Sequence, residues 1–327
     1  MLTLFALPKP FEGHIGIIQR NAIRSWTLLQ PRPRIILFGD EAGTAEFAQE
    51  FGLCHVPRIA RNEYGTPLVS DLFLSAQRMT ADGSLCYVNA DIILMSDFAA
   101  AADRVAAQRR RFLVAGRRWT VDLPELWDFG PGWEQRLRDR VSRQGVPDPP
   151  HCIDYFLFPA GFWRDVPPFA IGRFFWDNWL LYQARRQGAA LVDASDMVMA
   201  VHQNHGYAHQ MAGADHLHRG PEALRNMDLA GGRHHLYSLG LATHRLSVRG
   251  VRRRPPGRWQ IELWQHRWNH DSREAYRALQ RLSERSLLLR PFISPLLWAA
   301  RQSGPARRRL GRALVAWREG NSRKRAA

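Results

Sequence analysis

Asn89-Ala90-Asp91 interrupts the apolar run of residues 84–94, and a carboxylate in so apolar a stretch must be met by a cation or by hydrogen bonds. Read as a buried parallel strand, this run delivers Asp91 to the carboxyl edge of a sheet, where open α/β sheets take their ligands. The simplest partner is a divalent metal, Mn²⁺ or Mg²⁺, carrying a diphosphate. A plain Asx turn capping the strand is the structural alternative. A second cluster, His202-Gln203-Asn204-His205 with His209 beyond it, follows another apolar run, and neutral imidazoles there could complete a site begun by Asp91. Histidines recur at 216, 218, 234 and 235, so His202 and His205 also read as ordinary surface residues.

Two further carboxylates draw attention. Asp177, in Trp176-Asp177-Asn178-Trp179, stands where a helix would begin; the helix dipole would hold it ionised, able to accept a proton from an attacking hydroxyl. Trp176 and Trp179 beside it offer flat faces for sugar rings, or else they are core tryptophans around an N-cap aspartate. Asp154 enters an apolar run after a Pro-rich loop, with Arg173 and Arg117 as cationic candidates near it. It could bind an acceptor hydroxyl or simply cap the loop.

These residues need a scaffold, and the chain supplies an alternating one. Short apolar runs at 2–6, 35–38, 55–57, 84–88 and 112–115 read as strands, separated by helical patterns at 15–29, 43–51, 68–79 and 99–110. That rhythm predicts an α/β domain, a mostly parallel twisted sheet with helices on both faces. After Gly116 a Trp- and Pro-rich region precedes a strand at 155–158 and a helix at 176–187. Residues 190–192 and 197–201 are expected as the last strands of the sheet, and no strand pattern is convincing beyond Gly206. The expected organisation is a domain at 1–210, a connecting segment at 211–250 packing on it, and a basic tail at 251–327 with amphipathic helices at 271–289 and 306–317.

All of the net charge of +16 lies in the last quarter. From Arg245 onward there are 21 basic residues against five acidic ones, whereas residues 1–244 balance at 25 and 25. The body therefore has no electrostatic case for nucleic acid, and the tail has one for an anionic surface. Cys54, Cys86 and Cys152 are widely spaced without a Cys-x-x-Cys pair, which predicts a reducing compartment. Residues 1–6 lack the basic flank of a signal peptide, and the apolar tail stretch 286–300 is cut by Arg290, Pro291 and Pro295. The expectation is a cytoplasmic protein, either free or peripheral on the inner face of a membrane.

The blocks Tyr87-Val88-Asn89-Ala90-Asp91-Ile92, Ile171-Gly172-Arg173, Trp176-Asp177-Asn178-Trp179 and His202-Gln203-Asn204-His205, in this order, resemble those of nucleotide-diphospho-sugar transferases of the A-type glycosyltransferase fold, in particular a bacterial and plant branch. The resemblance implies transfer of a sugar from a nucleotide-diphosphate donor to a hydroxyl of a glycan or lipid-linked acceptor. It implies Asp91 with His202 or His205 as ligands of Mn²⁺ or Mg²⁺, and Asp177 as catalytic base. Asp154, Trp176 and Arg173 would lie at the acceptor, and Pro8 with its loop to Gly13, Asp40, Asp71 and Asn89 at the nucleotide. One departure is Asn89, which stands at the first acidic position of the usual Asp-x-Asp. A single base acting in line would invert the anomeric configuration. A nucleotidyltransferase is disfavoured because residues 7–16 hold only two glycines and no triphosphate-cradling pattern. A reading from another class gives the function to the tail, where Trp259, Trp264, Trp268 and Trp317 interleave with arginines, as an RNA- or membrane-binding module on a degenerate enzyme body.

Overall fold

The computed structural model describes residues 1–205, 220–255 and 263. The chain forms two compact units, Met1–Glu262 and Leu263–Ala327. The predicted tail helices, the tail tryptophans and His209 lie outside the described residues.

The first half folds as a β-α repeat: β1 (Leu2–Ala6), α1 (Gly13–Thr27), β2 (Arg34–Phe38), α2 (Thr44–Phe51), β3 (Cys54–Val56), α3 (Val69–Arg78), β4 (Ser84–Val88), β5 (Ile92–Ile93), α4 (Ser96–Gln108) and β6 (Phe112–Ala115). Then come β7 (Arg118–Val121), α5 (Trp133–Gln144), β8 (Val146–Pro147), β9 (Tyr155–Pro159), α6 (Trp176–Arg186), β10 (Ala190–Asp193) and β11 (Ala200–Gln203). Beyond them lie α7 (Pro221–Leu229), β12 (His244–Ser247) and β13 (Gly250–Arg253).

Nine strands form the main sheet in the order β13-β12-β10-β6-β9-β4-β1-β2-β3, with β9 antiparallel between β4 and β6, and β13 antiparallel at the edge. Every residue of β4 is buried, as expected of a strand covered on both faces. On one face Leu4, Leu37, Val88 and Val114 pack with Ala22, Ile23 and Trp26 of α1, Phe47 of α2 and Phe98 of α4. On the other, Phe5, Tyr87 and Phe158 meet Phe73 of α3, and Trp176 of α6 closes the cluster against Phe73 and Tyr87. Such aromatic pairs contribute about 0.5–1.5 kcal/mol each beyond their burial.

A second sheet, β5-β11-β7-β8, is what carries the chemistry. Its pairing aligns Ala200 with Arg118 and His202 with Thr120, and because side chains alternate along a strand, Arg118, Thr120 and His202 share one face. The opposite face supplies Ile93, Val121 and Val201 to a small core with Leu137 and Val141 of α5. Between β6 and β7, a Cβ on Gly116 would lie 2.3 Å from the Tyr155 hydroxyl oxygen, so any other residue there would have to displace that buried ring.

Two expectations are corrected here. The strand expected at 197–201 as the last of the main sheet instead begins at Ala200 and belongs to the second sheet, pairing with β5 and β7. Strands do follow Gly206: after α7, β12 and β13 extend the main sheet at its edge. Their pattern, His-Arg-Leu-Ser and Gly-Val-Arg-Arg, buries little besides Leu246, Gly250 and Val251, which is why periodicity did not reveal them. The three cysteines are free, and no described helix is long and apolar enough to cross a membrane.

Candidate active site

The turn that follows β4 is pinned from below by α1. Trp26 Nε1 donates to the Ile92 carbonyl at 2.9 Å, and the Leu94 N–H donates to Ser25 Oγ at 3.1 Å. Gln203, at the end of β11, donates through its side chain to the Asp91 carbonyl at 3.1 Å. These bonds fix the backbone on both sides of Asp91 and leave its carboxylate facing the histidines.

Asp91 Oδ2 lies 3.0 Å from His205 Nε2 and 3.7 Å from His202 Nε2. Its other oxygen, Oδ1, is buried and has no hydrogen-bond partner among the described residues, a costly state for a carboxylate oxygen unless a cation meets it. Ligand atoms of Asp91, His202 and His205 all fall within 4.8 Å of one another. Burial opposes the charge on Asp91, but His202, His205 and Arg118 outweigh it and hold this carboxyl well below the usual carboxylate range. Burial lowers His202 against the opposing pull of Asp91, and Arg118 adds to the lowering, which favours the neutral imidazole. One carboxylate, with a buried oxygen unmet among the described residues, and two imidazoles beside it fit a divalent cation.

Asn89 faces the other way. Its Oδ1 accepts from the Tyr87 hydroxyl at 2.7 Å, and its Nδ2 donates to Asp154 Oδ1 at 2.8 Å. Burial pushes the Tyr87 phenol far up, so it remains a donor. An aspartate at 89 would set a second carboxylate against Asp154, which accounts physically for an amide at this position. Asp154, itself buried, also accepts from Arg118 Nη1 at 2.6 Å. Arg118 further donates through Nε to Asp148 Oδ2 at 2.8 Å; burial works against its charge, yet Asp154 and Asp148 raise it.

Asp177 stands in the first turn of α6, behind Phe175, the one described non-glycine residue with positive φ, at 93°. An aromatic residue in that conformation costs on the order of 1–3 kcal/mol and is held there by its surroundings. Asp177 Oδ1 accepts from the Asn178 N–H at 2.9 Å. The helix was expected to keep this carboxylate ionised, but burial, reinforced by Asp154, pushes it up to about 7. Near neutrality it is therefore shared between acid and base forms, where general base catalysis works best.

Other expected residues lie elsewhere or are engaged. Arg117 is exposed, and its neighbour Arg118 holds Asp154; a single residue's shift along an extended chain reverses the side-chain direction. Arg173 pairs with Glu222 at 2.7 Å rather than with Asp154. Trp176 and Trp179 are each 6% exposed, their edges set against Tyr87 and Phe169, so they are core and not open stacking faces. Pro8 is buried just beyond β1. Asp40, at the carboxyl end of β2, is exposed and bound by Arg61 at 2.7 Å. Asp71 accepts from the Ala60 N–H at 2.8 Å and the Ser75 hydroxyl at 3.1 Å. Arg118, Thr120 and Asp148 were missed by sequence reading. Their only signal was an Arg-x-Thr alternation in a short strand and an aspartate enclosed by prolines.

No family model matches this sequence, and no curated protein matches it. Among solved structures the chain is similar to GalNAc-T7 with UDP, GalNAc and Mn²⁺, at 15% identity and a TM-score of 0.49, covering 70% of this chain and 48% of that one. It is similar to glucosyl-3-phosphoglycerate synthase from Mycobacterium tuberculosis in complex with Mn²⁺, UDP and phosphoglyceric acid, at 14% identity and a TM-score of 0.44, covering 71% and 79%. It is also similar to S. aureus TarS 1–349 in complex with UDP-GlcNAc, at 9% identity and a TM-score of 0.29, covering 37% and 35%. The chain thus spans about a third of the TarS fragment and about half of GalNAc-T7. With each of these TM-scores below 0.5, the chemistry rests on this chain's own residues.

Proposed function

We propose that this protein is a glycosyltransferase that moves a sugar from a nucleotide-diphosphate donor to a hydroxyl acceptor. The observation that carries the reading is the half-buried Asp91, with a buried oxygen unmet among the described residues, beside His202 and His205 at the carboxyl edge of the central strand, together with the raised carboxyl of Asp177. Asp91, His202 and His205 would hold a divalent cation, which when bound supplies positive charge to the departing diphosphate. Two imidazoles and one carboxylate favour Mn²⁺ over Mg²⁺, whose preference is for oxygen ligands. Asp177 takes the proton from the acceptor hydroxyl, and Asp154, fixed by Asn89 and Arg118, orients that hydroxyl. With one base and no enzyme nucleophile, attack from the opposite face inverts the anomeric carbon.

Acceptor identity is set by surfaces around Asp154 and Asp177; a glycan or a lipid-linked glycan supplies the hydroxyl. The balanced charge of residues 1–244 gives the body no attraction for nucleic acid. Thermal unfolding in the presence of UDP-, GDP- and dTDP-sugars, with and without Mn²⁺, tests the reading. One nucleotide class should raise the midpoint, and the rise should depend on Mn²⁺ and disappear in Asp91→Ala; a ligand at a hundred times its Kd stabilises by about 2.7 kcal/mol. No shift with any donor in the presence of Mn²⁺ would overturn the proposal.

A further inference from the structure

Thr120 lies between a carboxylate and an imidazole, and its single hydroxyl proton can serve only one of them. Its Oγ1 is 2.6 Å from Asp148 Oδ2 and 3.1 Å from His202 Nδ1. Asp148 cannot be the donor in the shorter contact. The same Oδ2 receives Arg118 Nε at 2.8 Å, and although burial opposes it, the Thr120 hydroxyl and the Arg118 guanidinium hold this carboxyl below its ordinary range. The hydroxyl proton therefore points to Asp148, and the oxygen presents a lone pair to His202. A contact with that lone pair is a hydrogen bond only if Nδ1 carries the proton. In a neutral imidazole the lone pair then lies on Nε2, the nitrogen that faces Asp91.

From this geometry we infer that Thr120 and Asp148 are positioning residues, a hydroxyl–carboxylate relay that fixes the tautomer and ring orientation of His202 so that Nε2 is presented to the cation site. The inference rests on the metal reading above for its purpose, but the tautomer stands independently of it. The relay is itself well anchored. The Asp148 N–H donates to the Arg118 carbonyl at 3.0 Å, Pro147 and Pro149 enclose the residue, and the pairing of β7 with β8 sets Thr120 opposite Val146. Arg118 continues the chain of bonds to Asp154 and so to Asn89, which links the far side of the site to His202 through side chains alone. Outer partners of this kind orient metal-binding histidines, and their loss commonly costs tenfold to a hundredfold in metal affinity.

The test uses the full chain. Long-range ¹H–¹⁵N correlation spectra of the metal-free protein at neutral pH should show His202 with its proton on Nδ1, in the wild type and in Thr120→Ser, which keeps the hydroxyl. In Thr120→Val, which keeps the branched shape, that tautomer should lose its dominance. Mn²⁺ binding followed by electron paramagnetic resonance should weaken about tenfold to a hundredfold in Thr120→Val and by no more than about threefold in Thr120→Ser. A wild-type His202 protonated on Nε2 would overturn the inference, as would a folded Thr120→Val that keeps both the tautomer and the Mn²⁺ affinity. Should Thr120→Val not fold, the wild-type spectrum alone decides. A wild type that binds no Mn²⁺ would sink the metal reading, and the spectrum would still judge the relay.

Discussion

Two polar networks border the carboxyl ends of the main-sheet strands, and they differ in how completely their charges are met. The outer one ties the loop between β3 and α3 to its neighbours: Arg61 binds Asp40 and Glu41, Asn62 and Arg173 bind Glu222, and Arg225 binds Glu63. Each of its carboxylates has an arginine, and several lie in solvent, with the Asp40 side chain 69% exposed. The inner network, Asn89, Asp154, Arg118, Asp148 and Thr120, leads to His202 and Asp91 and is largely buried. It ends in an oxygen of Asp91 with no partner among the described residues. A saturated network explains itself as structure, whereas one that stops short by a single ligand among the described residues leaves room for a cation.

The sharpest way to break this contrast is Asp177→Asn. Removal of a general base should lower turnover by about 10²–10⁴-fold while donor binding, followed by calorimetry, stays near wild type. Because the base form is the active one and this carboxyl sits at about 7, wild-type turnover should rise with pH and level off above that value. Turnover in Asp177→Asn within tenfold of wild type would remove the base from the site.

Asn89→Asp comes next, because it turns a donor toward Asp154 into a like charge at 2.8 Å. Breaking a buried hydrogen bond to a charged group and adding repulsion should cost on the order of 3 kcal/mol at pH 7, seen as a lower midpoint in urea. Burial already raises the Asp154 carboxyl and a second carboxylate would raise it further, so the loss should shrink as pH falls, starting above the ordinary carboxylate range. An unchanged midpoint would mean that Asn89 does not hold Asp154.

Asp177 also bears on stability. Between its unfolded value of 3.8 and its folded value of about 7, the native state keeps a proton that the unfolded chain gives up. Stability from this group is therefore present at low pH and is lost as pH rises through that window. Asp177→Asn should be more stable than wild type at pH 8 by on the order of 2 kcal/mol, less than full linkage because the side chain still touches solvent. At pH 4 the two proteins should melt together; equal melting at both values would contradict the raised carboxyl.

How much of this was legible depended on whether a residue's role was set locally. Strands β1, β2, β4 and β6 and the helices between them are short-range patterns, apolar runs and helical spacing, and they stand within a few residues of where periodicity places them. The carboxylates and histidines were legible as types at the ends of apolar runs. What they touch was not, because those contacts depend on register. β7 and β11 lie some eighty residues apart, and only their pairing sets Thr120 beside His202. The burial that raises Asp177 comes from its tertiary surroundings, against a local helix N-terminus that argued for the opposite.

The smallest effect expected belongs to the outer network, and it completes the contrast. Glu63 meets Arg225 in two contacts of 2.6 and 2.7 Å, geometry as good as any in the inner site. Yet the two side chains are 59% and 44% exposed, so water screens their attraction and competes for both groups. Glu63→Gln should accordingly leave the melting temperature and turnover at wild-type values in 0.15 M salt, even though it removes a short ion pair. The comparison is with Asn89→Asp, which alters one inner contact of similar length. If Glu63→Gln destabilised the protein as much as Asn89→Asp, distance rather than burial would govern both networks, and the case for reading the inner one as a ligand site would lose its footing.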